Sequence, residues 1–166
     1  MLKIHESGMW FHPPETKTFL IEKSDTYRKV NNHGVSAVEF ITMSPKQDVI
    51  FIEAKTSAPD KEEGEKMGKF IESIGKKFVH SLEVCYALLT QVLPDAEPSF
   101  PSPLRAAMKQ KPAIKLILIV NKLSLAHCVN LQDALRRQLR AEMRIWQMNV
   151  IVLNKEIALK KNLIKG

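Results

Sequence analysis

Two neighbouring runs, Val35–Met43 and Asp48–Lys55, constrain the architecture more than any other feature of the chain. Both are rich in β-branched and aromatic residues, and Ser44-Pro45-Lys46-Gln47 between them puts a proline where a tight turn favours it. They read as an antiparallel hairpin. On the second strand Ile50, Ile52 and Ala54 point one way, and Val49 and Phe51 the other. A sheet that is apolar on both faces is covered on both faces.

The rest of the chain supplies the covers. Met67, Phe70, Ile71, Ile74, Phe78, Leu82, Tyr86 and Leu89 recur at spacings of three and four, which predicts a long helix from about Glu62 to Leu93. Gly64, Gly68 and Gly75 weaken its first half and offer close backbone approach. Pro94 to Pro103 holds four prolines and reads as a loop. Lys115 to Asn121 is a buried strand, Asn130 is a good N-cap for a helix reaching about Trp146, and Asn149 to Asn154 is another strand. Glu156 to Gly166 is a lysine-rich tail with helical character. Upstream, the first thirty residues read as irregular, apart from a short strand at Thr18–Lys23 and a helical turn, Asp25–Val30, capped by Ser24. The order predicts one α/β domain over 1–166, a three-layer α-β-α sandwich whose mixed sheet carries an N-terminal antiparallel hairpin.

At 166 residues, with 45% hydrophobic and 26% charged residues, the chain has ordinary globular composition, which argues against disorder and fibrous repeats. No apolar run approaches the roughly 20 residues of a membrane span, and the start lacks a signal-peptide core. Cys85 and Cys128 give neither metal spacing nor a disulfide framework, so core filling in a reducing, cytoplasmic setting is expected. The net charge of +7 is uneven. Met1 to Leu104 carries 12 Lys+Arg against 15 Asp+Glu, while Arg105 to Gly166 carries 13 against 3. That asymmetry points to a polyanionic partner, of which nucleic acid is the commonest.

One anomaly stands out in the hairpin. Glu53 and Lys55 share a face with Val49 and Phe51, and Glu39 is flanked on its own face by Ala37 and Ile41. Ionisable groups on a covered face are expensive unless they are paired or bind a metal. If Ser44 pairs with Asp48, opposed residue numbers sum to 92 and Glu39 faces Glu53. A two-residue loop makes the sum 91 and turns Glu39 away, unless a bulge intervenes. Two opposed carboxylates repel unless a divalent cation lies between them. Oxygen ligands with few protein donors suit Mg²⁺, which accepts waters and phosphate oxygens. Lys55 beside them is placed to orient an attacking water and to stabilise charge developing on phosphorus.

Glu39, thirteen intervening residues, then Glu53-Ala54-Lys55 at the end of an apolar strand and a long helix after it, resembles the PD-(D/E)XK nuclease superfamily, the restriction endonuclease-like group. The resemblance covers roughly Phe19 to Leu153. It implies a metal-dependent hydrolase acting on nucleic-acid phosphodiester bonds, DNA before RNA. Glu39 and Glu53 would be the ligands of Mg²⁺ or Mn²⁺ and Lys55 the catalytic lysine. The family often adds an upstream acid, for which Glu22 is the best candidate. Two departures are Glu rather than Asp as the first motif acid and Val38 in place of the preceding proline. The expected partner is nucleic acid, with no membrane and with a homodimer as one open assembly. A non-catalytic nucleic-acid- or protein-binding module on the same fold is the alternative, and a solvent-exposed cross-strand charge cluster the plainest explanation of the charges.

Weaker features surround this set. Arg136, Arg137, Arg140 and Arg144 form a basic ridge, with 136, 140 and 144 stacked at i, i+4, where like charges favour an anionic partner. Lys69, Lys76, Lys77 and His80 read as a solvated face of the long helix. Thr56 and Ser57 read as turn residues, Trp10 and Phe11 as core, and no two of the five histidines have metal-ligand spacing.

Overall fold

The chain opens with a small hairpin, β1 (Ile4–Glu6) paired antiparallel with β2 (Met9–Phe11), which corrects the reading of this region as irregular. The computed structural model describes residues 1–94 and 99–166. Strands of three residues are too short for alternation to register in a sequence. Their turn, Ser7-Gly8, has positive φ at both residues, the geometry that tight hairpins require. Met9 and Phe11 turn inward and are buried, whereas Trp10 faces outward at 46% exposure, its ring tilted against His5 with centroids 4.5 Å apart. Only Phe11 of that aromatic pair is core.

The strand expected at Thr18–Lys23 contracts to one bridge, Phe19 with Ile41, closed by N–H···O bonds of 2.8 and 3.0 Å. Ile21–Lys23 then winds into a 3₁₀ turn. Ser24 explains the change: its hydroxyl donates to Ile21 O at 2.6 Å and accepts from Tyr27 N–H as the N-cap of α1 (Asp25–Val30). A cap committed so early ends extended geometry before a ladder can form.

The main sheet runs in the order β3 (Phe40–Met43), β4 (Val49–Lys55), β5 (Ile114–Val120), β6 (Asn149–Asn154), antiparallel at the first junction and parallel at the next two. β3 begins five residues later than the apolar run that predicts it. The reason lies in α2 (Gly64–Leu89), which takes the upstream backbone donors: Val38 N–H bonds to Ser81 Oγ at 2.9 Å and Ser36 N–H to His80 Nδ1 at 3.0 Å. Those amides are satisfied by helix side chains, so no strand partner is needed. His80 is therefore a latch on this segment rather than part of a solvated face.

Helices lie on both faces, giving the α-β-α sandwich. One core joins Ile41, Phe51, Leu118 and Val152 to the stripe Ile74, Phe78 and Leu82 of α2 and to Leu131 and Leu135 of α4 (Leu125–Gln138). It also takes in Leu104 and Met108 of a short helix, α3 (Ser102–Lys109). The other core joins Phe40, Ile52 and Ile119 to the β1–β2 hairpin and to Ala158 of α6 (Lys155–Lys160). Of the glycines in α2, Gly75 alone lies close to a neighbour: a Cβ there would stand 3.2 Å from Gln138 Cγ.

Two further expectations are corrected. Ser124, not Asn130, caps α4, its hydroxyl accepting from His127 N–H, so Asn130 falls inside the helix. The helix also does not run unbroken to Trp146; it stops at buried Leu139 and restarts as α5 (Arg140–Trp146). Part of the loop expected from Pro94 to Pro103 is the first turn of α3, and residues 95–98 lie outside the described residues. Among the described residues no helix is long and apolar enough to cross a membrane.

Candidate active site

The hairpin takes the register that brings Glu39 toward Glu53, but Glu39 itself leaves the ladder. Phe40 pairs with Ile52, Ile41 with Phe51 and Thr42 with Ile50, all summing to 92. Pro45, Lys46 and Gln47 form the loop, with Gln47 at φ 68° and Ser44 N–H bonded to Asp48 O at 3.0 Å. One step beyond Phe40, Glu39 N–H donates to Ile52 O at 3.0 Å, out of step by one residue. Two residues of one strand thus face Ile52 on the other, which is a β-bulge, a device that re-aims a side chain. Glu39 and Glu53 are not a directly opposed ladder pair; they approach across a bulge.

Glu53 is fully buried. Its Oε1 accepts a hydrogen bond from Lys77 Nζ at 2.9 Å and forms an ion pair with Lys55 Nζ at 2.7 Å. Its Oε2 is also buried and has no hydrogen-bond partner. A buried carboxylate oxygen without a hydrogen-bond partner is costly, and coordination of an ion is one way to offset that cost. β4 delivers Glu53 and Lys55 to one face because they are two residues apart, and α2 brings Lys77 down onto them from the flank of its apolar stripe. The Lys55 side chain is 32% exposed, so the pair sits at the mouth of the site rather than sealed within it.

The surrounding charges converge on the same place. Burial pushes the half-buried Glu39 carboxyl up to about 7, with Glu53 as the strongest like charge, then Glu6, while Lys77 opposes the rise. Glu22, on the turn before α1, is exposed at the rim. Partial desolvation still raises it, Lys77 lowers it, and Glu53 and Glu6 add to the rise. Burial depresses Lys77, but the charge of Glu53, its hydrogen bond, and then Glu39 and Glu22 outweigh burial and hold the ammonium above its usual value. Four carboxylates and two lysines therefore act on one another: Glu6 from the N-terminal hairpin, Glu22, Glu39, Glu53, Lys55 and Lys77.

Among the described residues no three His, Cys, Asp or Glu side chains form a ready-made metal cage. The donor types suit a divalent cation that keeps several waters: a carboxylate oxygen on Glu53 without a hydrogen-bond partner, and a second carboxylate on Glu39, which the charge of Glu53 helps to raise.

Lys77, which reads from the sequence as part of a solvated helix face, instead pairs with buried Glu53, and Glu6 joins the site from a hairpin that the sequence does not announce. Lys77 follows Ile74 by three and precedes Phe78 by one, so it borders the buried stripe; that position was the available signal. Glu6 carried none, since its hairpin was not foreseen. Lys69 and Lys76, by contrast, are exposed as expected, Lys69 paired with Glu65. Thr56 and Ser57 are exposed beyond the end of β4.

The arginine ridge divides. Arg136 is committed to the fold, its Nε donating to Val150 O at 3.0 Å and its guanidinium to Asn149 Oδ1 at 3.2 Å. Arg137, Arg140 and Arg144 are exposed, but the break at Leu139 removes the continuous i, i+4 stack. Arg137 borders a cleft of about 460 Å³ between α2 and α4, lined also by Gly64, Gly68, Ile71 and His127. This cleft includes none of the six charged residues of the candidate site. Cys85 and Cys128 are both buried, and burial raises both thiols, as core filler would have it. Comparison of the chain with protein-family models, with curated proteins and with solved structures gave no match.

Proposed function

We propose that the protein is a metal-dependent nuclease of the PD-(D/E)XK type, cleaving phosphodiester bonds in DNA before RNA. The observation that carries this reading is Glu53: a fully buried carboxylate held by two lysines through one oxygen, with the other oxygen open. Glu39 and Glu53 would hold Mg²⁺ or Mn²⁺. When bound, the cation supplies a Lewis acid and a water of lowered pKa. Lys55, paired with Glu53 yet partly exposed, would orient an attacking water and offer positive charge to the phosphate. Glu22 adds a carboxylate at the rim whose pKa is raised by partial desolvation, a direction that makes it a stronger proton acceptor than an ordinary surface glutamate. The exposed Arg137, Arg140 and Arg144 are suited to backbone phosphates.

A second reading has one observation in its favour. Lys55 and Lys77 already pair with Glu53, so the charge is compensated without a metal. On that reading the chain is a non-catalytic nucleic-acid- or protein-binding module, with salt-sensitive binding and no turnover.

Incubation of the protein with plasmid and with single-stranded oligonucleotides, with Mg²⁺, Mn²⁺ or EDTA, separates the two. Cation-dependent cleavage lost in Lys55→Ala and Glu53→Gln, with circular dichroism unchanged, is the expected result. Cleavage that persists undiminished in both variants removes this site from the chemistry.

A further inference from the structure

Lys77 competes for the charges that a cation would take. Its ammonium lies 2.9 Å from Glu53 Oε1, its side chain is only 19% exposed, and the carboxylates acting on it are Glu53, Glu39 and Glu22. Lys55 reaches Glu53 from the same strand and is more open to solvent. With Glu6 included, four carboxylates act around two lysines; fully ionised they carry an excess of two negative charges, which one divalent cation balances. A cation on the open Oε2 would stand beside both ammonium groups, and charges this close in a partly buried site repel strongly. Of the two lysines, Lys77 is the one that shares the cation's own proposed ligands, Glu53 and Glu39.

We propose that Lys77 is a positioning residue that stands in for the cation: it holds Glu53 in the cation-free site, and divalent-cation binding releases it from Glu53 Oε1. The inference rests on the metal-binding reading above. It couples loading to electrostatics, because the ammonium freed from Glu53 becomes a positive charge available to a phosphate only once the cation is bound. Without it, the buried Glu53 would depend on Lys55 alone until a cation arrived.

Calorimetric titration with Mn²⁺, without nucleic acid, tests this on the wild type, Lys77→Met, Lys77→Arg and Glu53→Gln. Lys77→Met is expected to bind Mn²⁺ at least tenfold more tightly, since one competing charge is gone. Lys77→Arg keeps the charge and is expected to stay within about threefold of the wild type. Cation-free Lys77→Met should also melt at a lower temperature than the wild type and recover the difference with Mn²⁺. If Lys77→Met does not fold, Lys77→Gln removes the same charge while keeping a donor for Oε1 and carries the same expectation. Equal or weaker binding in the uncharged variants, with wild-type binding intact and lost in Glu53→Gln, overturns the stand-in role and leaves the nuclease reading in place. No Mn²⁺ binding by any folded variant overturns both.

Discussion

Replacing Glu39 with Gln should stabilise the cation-free protein, and by an amount that depends on pH. Gln mimics the protonated carboxyl at every pH. In the folded chain Glu39 titrates near 7, against a usual value of 4.5, because burial and the charge of Glu53 disfavour its ionised form. The sign follows from where protons sit. An acid with a raised folded-state pKa contributes stability that is complete below about 4.5 and is lost as pH rises through about 7, because the folded state must give up a proton it holds more tightly. The span of 4.5 to 7 corresponds to roughly 3 kcal/mol at about 1.4 kcal/mol per pH unit, and solvent access to this half-buried group makes that a ceiling. Urea unfolding in EDTA, followed by circular dichroism at pH 4.5, 6, 7 and 8.5, reads the difference. Wild type and Glu39→Gln should nearly coincide at the lowest pH. The variant should lead by about 1 to 3 kcal/mol at the highest, with most of the gap opening between pH 5 and 8. A gap that does not change with pH, or a variant less stable than wild type at pH 8.5, would refute the electrostatic picture of the site. Under the proposed function Mg²⁺ narrows the gap, because the cation stabilises only the chain that can ligate it through Glu39.

Three further substitutions have outcomes set by the structure. Ser81→Ala leaves the buried Val38 N–H without its acceptor and should destabilise the protein by roughly 1 to 3 kcal/mol in the same assay; a change under about 0.5 kcal/mol would mean that another acceptor takes over. Arg136→Ala should lower stability by about 1 kcal/mol through loss of its bonds to Val150 and Asn149. Arg137→Ala should leave stability alone and reduce the slope of log affinity for DNA against log salt by about 1; equal slopes would exclude Arg137 from phosphate contact.

The parts of this fold that could be read from the sequence are those fixed by a long, local period. The α2 stripe from Ile74 to Leu82 and the strand Asn149–Asn154 belong to this class. The parts that could not be read depend on donors and acceptors supplied from far along the chain. Val35–Met43 has the composition of a strand throughout, yet its upstream amides are claimed by Ser81 and His80, more than forty residues away. The α4 start went to Ser124 rather than Asn130, although both are good capping residues, because only the earlier one sits directly after the turn that leaves β5.

The same division runs through the site. Register arithmetic offers two pairings and only the three-residue loop brings Glu39 toward Glu53, a choice that Pro45, compatible with either loop, leaves to the structure. It does not give the bulge, for no glycine marks it and the displaced Glu39 N–H bond to Ile52 appears only in three dimensions. Nor does it give Lys77. On a helical wheel a lysine beside the apolar stripe is equally compatible with solvent or with a buried acid below it, and only the depth of Glu53 decides between them. The sequence therefore identifies Glu39, Glu53 and Lys55, which are anomalous where they stand, but not Lys77, whose position is unremarkable. A buried charge on a short strand can be recognised by its misfit alone; its partner has to be sought along every helix flank that packs above it.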